Sequence, residues 1–279
     1  MATIAHKRRA FRALHDTGCF VLPNPWDAGS ARYLEHLGFK ALATTSSGAA
    51  FSLALPDGAV PRDVMLSHIE AMVASTDLPV NADFGSGFAD DPDEVADNVR
   101  LCIATGVAGL SIEDATGDRA RSLYDLELAA RRVRAARAAI DESGGDVVLT
   151  GRAEGFLHGE PGLDAVIRRL RAYAEAGAEC LFAPGLTTRE QIAAVVAAVA
   201  PKPVNVLVPP SAGLTVQDLT ALGVRRLSVG SGLARTAWGA FIRAARAIAT
   251  DGRFDALADG VPFADIDRFF RDDVKRRES

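Results

Sequence analysis

A short phrase recurs along this chain: a helix-like run ends in glycine and, within a few residues, an apolar strand-like run begins. It stands at Leu37-Gly38-Phe39-Lys40-Ala41, Thr105-Gly106-Val107-Ala108-Gly109, Ala176-Gly177-Ala178-Glu179 and Leu222-Gly223-Val224-Arg225-Arg226. Glycine is the residue best suited to a left-handed helix cap, so each instance closes a helix and opens a strand. Regular alternation of the two implies a parallel sheet covered by helices. Strands are read at Phe20–Asn24, Ala41–Ser46, Val80–Asp83, Gly109–Glu113, Val147–Arg152, Cys180–Pro184, Val204–Val208 and Arg226–Gly230. Amphipathic stretches lie between them at Ala28–Leu37, Arg62–Ser75, Pro92–Thr105, Leu126–Ser143, Leu163–Ala176, Thr188–Ala200 and Thr215–Leu222, with a last one at Leu233–Ala249.

Eight strands close an α/β barrel, and 279 residues are enough to build one. A doubly wound open sheet is the alternative, but no G-x-G-x-x-G follows the first strand. The expectation is a single (β/α)8 TIM-type domain over residues 1–279, with a barrel core about 18–250 and an extra C-terminal helical segment about 251–279. In that segment Pro262–Phe270 has helical apolar spacing, and a charged tail follows from Arg271 to Ser279.

A net charge of -5 gives no electrostatic reason to expect a nucleic-acid partner. No stretch is apolar enough to span a membrane, and the basic Lys7-Arg8-Arg9 is followed by no apolar core, so a cytoplasmic location is expected. The cysteines Cys19, Cys102 and Cys180 are odd in number and lie in apolar patterns, which reads as buried free thiols.

In such a barrel the active site lies at the C-terminal ends of the strands. The shortlist there is Asn24, Trp26 and Asp27; Thr44 to Gly48; Asp83; Glu113 and Asp114; Arg152 and Glu154; and Asn205 with Ser211. Asp83 and Glu113 end neighbouring strands and are the metal candidates, because Mg²⁺ is held by one or two carboxylates and several waters. Arg152 suits a carboxylate or phosphate. The run Thr44-Thr45-Ser46-Ser47-Gly48 reads as an anion cradle, and Ser228 to Gly232 either as a phosphate loop or as a tight turn. Lysines are absent from the rim, which argues against a Schiff-base aldolase. The five histidines form no spaced metal set, which argues against a zinc hydrolase; His158, past the fifth strand, reads as a loop residue.

Ser46-Ser47-Gly48, Leu55-Pro56-Asp57, Asp83-Phe84-Gly85-Ser86-Gly87-Phe88, Ile112-Glu113-Asp114 and Gly151-Arg152-Ala153-Glu154 stand in an order and spacing that resembles the isocitrate lyase/phosphoenolpyruvate mutase superfamily, over roughly Phe20 to Gly232. The resemblance implies a Mg²⁺-dependent enzyme, with Mn²⁺ as an alternative ion, acting on small 2-oxo or 2-hydroxy carboxylates through an enolate-like intermediate. It implies Asp83 as direct metal ligand, Glu113 and Asp57 acting on the metal through waters, Ser47 and Gly48 on the substrate, and Arg152 on its carboxylate. It also implies a homotetramer or dimer whose last helix is exchanged between subunits. Gly85 stands where the family has a second acid, and Pro184 where it has a histidine. The loop Ala115 to Tyr124 lacks the Cys, Lys and His of the family's gating motif.

The resulting expectation is a carbon–carbon lyase or decarboxylase. Arg152 and Asp57 would be catalytic, and Tyr124, Arg119 or a metal-bound water would donate the proton. Ser46, Ser47, Gly48 and Asn205 join Arg152 in binding substrate. A phosphonopyruvate-type P–C mutase or hydrolase, and a vestigial oxo-acid-binding barrel, are the alternatives.

Overall fold

A computed structural model describes residues 2–118, 120–159, 162–208 and 213–278. Arg119 and Ser211 lie outside the described residues. The chain divides into two compact units, Ala2–Gly230 and Ser231–Ser279.

The first unit opens with helix α1 (Ile4–Ala13) and continues β1 (Phe20–Leu22), α2 (Ala28–His36), β2 (Leu42–Ala43), α3 (Ser46–Ser52), α4 (Arg62–Ala74), β3 (Val80–Asp83), α5 (Pro92–Ala104), β4 (Gly109–Glu113), α6 (Leu126–Glu142), β5 (Val148–Arg152), α7 (Leu163–Glu175), β6 (Cys180–Phe182), α8 (Arg189–Val199), β7 (Val204–Leu207), α9 (Val216–Ala221) and β8 (Arg226–Ser228). All the ladders are parallel and run in the order β1-β8-β7-β6-β5-β4-β3-β2. The seam between β1 and β2 is bridged where Ala43 N donates to Pro23 O at 3.0 Å and Asn24 Nδ2 donates to Thr44 O at 2.9 Å. The result is a nearly closed (β/α)8 barrel. The eight strands start within one residue of their expected positions, though several are shorter and β2 ends at Ala43 where Ser46 was expected. The expected helices fall within two residues of their bounds, and α3 is an additional helix.

Two layers of apolar packing hold it. One lies between sheet and helices, where Ile69, Val99, Ile140, Leu170 and Ile192 meet Val80, Leu110, Leu149, Leu181 and Val206, all essentially buried. The other fills the lower barrel: Phe20, Leu22, Ala41, Ala43, Val148 and Cys180 close around Phe11 of α1. Helix α1 is an element the sequence reading missed, and its basic residues explain why. Lys7 is buried and donates to Val73 O at 3.2 Å, while Arg8 donates to Ile103 O and Val107 O at 3.1 and 3.0 Å. These carbonyls belong to the ends of α4 and α5 and to the turn beyond, where orphan acceptors and the helix dipole favour a cation.

Phe11 fits because β4 begins with Gly109. A Cβ there would lie 2.5 Å from Phe11 Cε1 and 2.7 Å from Asn81 Oδ1. Gly109→Ala is therefore expected to destabilise the barrel by about 1–3 kcal/mol, the usual cost of overpacking a filled core. A urea-denaturation midpoint indistinguishable from wild type would contradict the plug.

The second unit holds α10 (Gly232–Asp251), a short 3₁₀ turn (Asp255–Asp259) and α11 (Phe263–Glu278). The segment expected as a charged tail is helical almost to its end, carried by Arg271–Asp267 at 2.7 Å and Arg277–Asp273 at 3.1 Å, both i,i+4 pairs. In the single chain Trp238, Phe241 and Ile242 of α10 and Phe263, Ile266 and Phe270 of α11 are exposed, Phe263 to 82%. Cys102 and Cys180 are buried, Cys19 is half-buried, and all three are free thiols. Among the described residues no helix is long and apolar enough to cross a membrane.

Candidate active site

Strands β3, β4 and β5 end in Asp83, Glu113 and Arg152. Glu113 and Arg152 are in register across the β4–β5 ladder, as are Arg152 and Phe182 across β5–β6. Residues in register on parallel strands share a face, so these side chains meet over the mouth of the barrel. Arg152 is the centre. Its NH1 lies 3.1 Å from Asp83 Oδ1 and 3.2 Å from Glu113 Oε2, its Nε donates to Glu154 Oε1, and its guanidinium carbon stands 5.1 Å from the centroid of the Phe182 ring. Asp83 Oδ1 and Glu113 Oε2 are thus within about 6.3 Å of each other, the sum of those two NH1 distances.

One cation facing three largely buried carboxylates leaves an excess of negative charge. Burial pushes Glu113 up to about 8; Arg152 opposes the shift, and the Glu154, Asp83 and Asp114 carboxylates add to it. Glu154 is raised for the same first reason. Burial alone would lower Arg152, but Glu113, Glu154 and Asp83 together hold it above the ordinary arginine range.

This charge excess bears on metal binding. No group of three or more His, Cys, Asp or Glu side chains with metal-cage geometry occurs among the described residues. What the rim offers is two converging carboxylates short of positive charge, and that donor set fits a hard divalent ion that keeps most of its waters.

The carboxylates are held from behind. Asp83 N donates to Thr44 Oγ1 at 2.9 Å, and Asp83 Oδ2 accepts from Ser46 N at 3.0 Å. Ser46 Oγ in turn donates to Asp57 Oδ1 at 3.1 Å, which brings Asp57 to the rim. The run expected as a loop cradle is the start of α3, capped by Thr45 Oγ1, which accepts from Gly48 N at 3.3 Å. Gly48 is required there, because a Cβ would lie 2.5 Å from Thr45 Cγ2 and 3.0 Å from Trp26 Cβ. The short, small-residue helix carries too little apolar periodicity to be read from sequence.

Gly85 adopts a left-handed φ of +54°, and a Cβ there would meet nothing within 4 Å. The position where the family has a second acid therefore has room for a side chain, at some backbone cost.

Other expected residues are engaged elsewhere. Tyr124 is buried, its hydroxyl donates to Asp90 Oδ1, and Arg132 stacks 3.9 Å from its ring centroid. Burial, then the Asp90 bond, pushes its hydroxyl up to about 12. Arg132 also donates to Ala89 O, Asp90 O and Ser86 O, so the pair fastens the loops after β3 and β4 to each other. That geometry ties Tyr124 to loop structure rather than to the Arg152 cluster.

Asn205 lies inside the barrel with both ends of its amide occupied: Nδ2 donates to Ser228 Oγ at 3.0 Å, and Oδ1 accepts from Arg226 Nε at 2.9 Å. Of the Ser228–Gly232 run, Val229 N and Gly230 N both donate to Asn24 Oδ1, so the tight-turn reading describes it. Asp114 points away from the mouth, accepting from Glu154 N at 2.7 Å, Tyr173 OH at 2.5 Å and Arg169 NH1 at 3.2 Å. It fixes the backbone at Glu154. The loop after β4 closes on itself through an Ala115–Leu123 bridge and Thr116 N donating to Ser122 O at 3.0 Å.

The chain is similar to known proteins over most of its length. The model of the phosphoenolpyruvate phosphomutase family matches residues 11–249. A candidate lyase/mutase from Burkholderia cenocepacia J2315 superposes with a TM-score of 0.91 at 48% identity, covering 96% of each chain. An oxaloacetate decarboxylase of Rhodopseudomonas palustris (strain BisB5) is 33% identical over 239 residues, 80% of this chain and 78% of its own. A phosphonopyruvate hydrolase in complex with oxalate and Mg²⁺ superposes with a TM-score of 0.84 at 26% identity, covering 99% of this chain and 98% of its own.

Proposed function

The chain belongs to the phosphoenolpyruvate phosphomutase family, and we propose that within it this protein is a Mg²⁺-dependent lyase that breaks a carbon–carbon bond of a small 2-oxo or 2-hydroxy carboxylate. The observation that carries the reading is the single Arg152 guanidinium facing Asp83, Glu113 and Glu154 at the barrel mouth. Lyase chemistry in a relative supports it, since decarboxylation of oxaloacetate is itself a C–C cleavage.

Asp83 and Glu113 would hold Mg²⁺ or Mn²⁺, with Asp57 reaching the same point through Ser46. When bound, such an ion supplies positive charge to the oxo oxygen. Arg152, relieved of part of its pairing with Asp83 and Glu113 but still anchored to Glu154, turns its planar donor fork to the substrate carboxylate. The amide of Ser47, at the start of α3, would serve the opposite end of that carboxylate, while the amide of Gly48 is spent on the Thr45 cap. In a 2-oxo acid, as the C3–C4 bond breaks, its electron pair passes into a C2–C3 double bond and onto the oxo oxygen. In a 2-hydroxy acid the C2–C3 bond breaks, the hydroxyl loses its proton as C2 becomes an oxo carbon, and the pair passes to C3 and its own carboxylate, where fixed dipoles cost no reorganisation.

A P–C mutase or hydrolase would bring a phosphonate dianion to the mouth. Among the described rim residues the cation available for it is Arg152, because Arg169 is bound to Asp114. That charge balance favours the C–C reading. Incubating oxaloacetate, branched 2-hydroxy diacids and phosphonopyruvate separately with protein and Mg²⁺ is expected to release a 2-oxo product from the diacids alone. Phosphate release from phosphonopyruvate without turnover of any diacid would reverse the assignment.

The uncovered apolar stripe on α10 and α11 supports a homo-oligomer in which further copies of this chain cover Trp238, Phe241 and Phe263. Static light scattering is expected to give a dimer or tetramer mass. A monodisperse monomer would contradict it.

A further inference from the structure

A lyase that leaves an enolate needs a group to protonate carbon, and the residues first in line are engaged elsewhere. Tyr124 is bound to Asp90, Arg121 NH2 lies 3.9 Å from Asp90 Oδ2, and Thr116 serves the internal bonds of its own loop. The Ser46 hydroxyl is directed at Asp57. His6 on α1, His15 just past it and His36 ending α2 are helix or post-helix residues, and His68, midway along α4, has Asp27 rather than the Arg152 cluster as its charged neighbour.

His158 is the exception. One 3₁₀ turn, Gly155–Leu157, follows Glu154 and ends with His158 N donating to Glu154 O at 3.2 Å. That i,i+4 return stands the imidazole over the carboxylate, with His158 Nε2 4.0 Å from Glu154 Oε2. The turn is seated against the loop after β6: a Cβ on Gly185 would lie 2.8 Å from Phe156 Cβ and 3.3 Å from Leu157 Cδ2. Glu154 is itself fixed twice, its backbone N on Asp114 and its Oε1 on Arg152. At 4.0 Å the carboxylate draws the imidazolium by charge, beyond hydrogen-bond range, and leaves the ring nitrogens to act. The His158 side chain is 33% exposed, enough to take its proton from solvent.

We propose that His158, beside Glu154, is the acid–base group that delivers the proton to carbon in the reaction inferred above. The inference rests on that reading. The N–H bond of the imidazolium breaks, its proton forms the C3–H bond with the electron pair of the enolate C2–C3 double bond, the C2 oxo group re-forms, and the neutral imidazole recovers a proton from water. In the reverse sense neutral His158 removes a C3 proton from a 2-oxo acid.

Deuterium exchange into pyruvate, followed by NMR in D₂O with Mg²⁺, reads this step directly, and calorimetric binding of oxalate reads the rest of the site. His158→Gln is expected to slow exchange roughly 100-fold, within the usual range for a lost acid–base group, with oxalate affinity held within about twofold. His158→Ala is expected to regain exchange on addition of imidazole. Exchange in His158→Gln that keeps pace with wild type overturns the assignment, as does a parallel loss of oxalate binding or a failure of imidazole to rescue. Wild-type protein that binds oxalate and exchanges nothing contradicts the enolate reading as well, and so separates the two failures.

Discussion

Asp83→Ala is expected to lower Mg²⁺-dependent turnover at least about 10³-fold, because a lost metal ligand removes several kcal/mol of transition-state charge stabilisation and each 1.36 kcal/mol is a factor of ten. The fold should survive. Asp83 takes hydrogen bonds from Ser46 N and Arg152, but it also crowds Glu113 electrostatically, and its removal relieves a like charge. Asp83→Asn, which keeps the shape and drops the charge, should be as inactive as the alanine variant. Steady-state kinetics beside calorimetric melting checks this: an inactive variant with a near-native melting temperature fits a ligand role, and one that is inactive because it is unfolded does not.

Arg152→Met has the larger structural effect. It leaves Asp83, Glu113 and Glu154 facing one another without their cation, and breaking a buried ion pair from one side costs about 3–5 kcal/mol. Arg152→Lys should not rescue it, since one ammonium cannot reach Glu154 through one nitrogen and Asp83 with Glu113 through another.

The pH dependence follows from the sign of the shift. Glu113 has a folded pKa of about 8, raised from 4.5, chiefly by burial. Its contribution to stability is therefore complete below pH 4.5 and is lost as pH rises through about 8. Metal-free wild type should weaken over that interval and Mg²⁺ should reverse the loss. Arg152→Met, with the opposing cation gone, should weaken more steeply. Urea midpoints at acidic and alkaline pH, with and without Mg²⁺, measure it, and a metal-free midpoint that rises with pH over this interval would contradict the charge excess at the mouth.

The barrel was legible because its signals are local. Glycine caps such as Gly106 and Gly177 stop helices within a few residues of the strands they feed, and the period changes at the same place. Asp83, Glu113 and Arg152 were legible as strand ends for that reason. What escaped depends on direction in space. Helix α1 hides its role in Lys7 and Arg8, whose partners are carbonyls 66 and 99 residues away. Helix α3 is too short and too small-sided to show a period. Tyr124 and Asn205 have the right chemistry at the right strands, yet their partners, Asp90 and Arg226, come from other elements that no spacing announces. The metal-site role of Asp57 comes from the resemblance alone; in the structure its carboxylate accepts from Ser46 Oγ.

The claim that a metal-assisted rim enolises a 2-oxo acid is tested most directly by following the methyl protons of pyruvate in D₂O. With protein and Mg²⁺ the signal is expected to decay, and to persist with EDTA or with Asp83→Ala. A signal that persists in the presence of wild-type protein and Mg²⁺, while oxalate binds the same protein, would contradict the account.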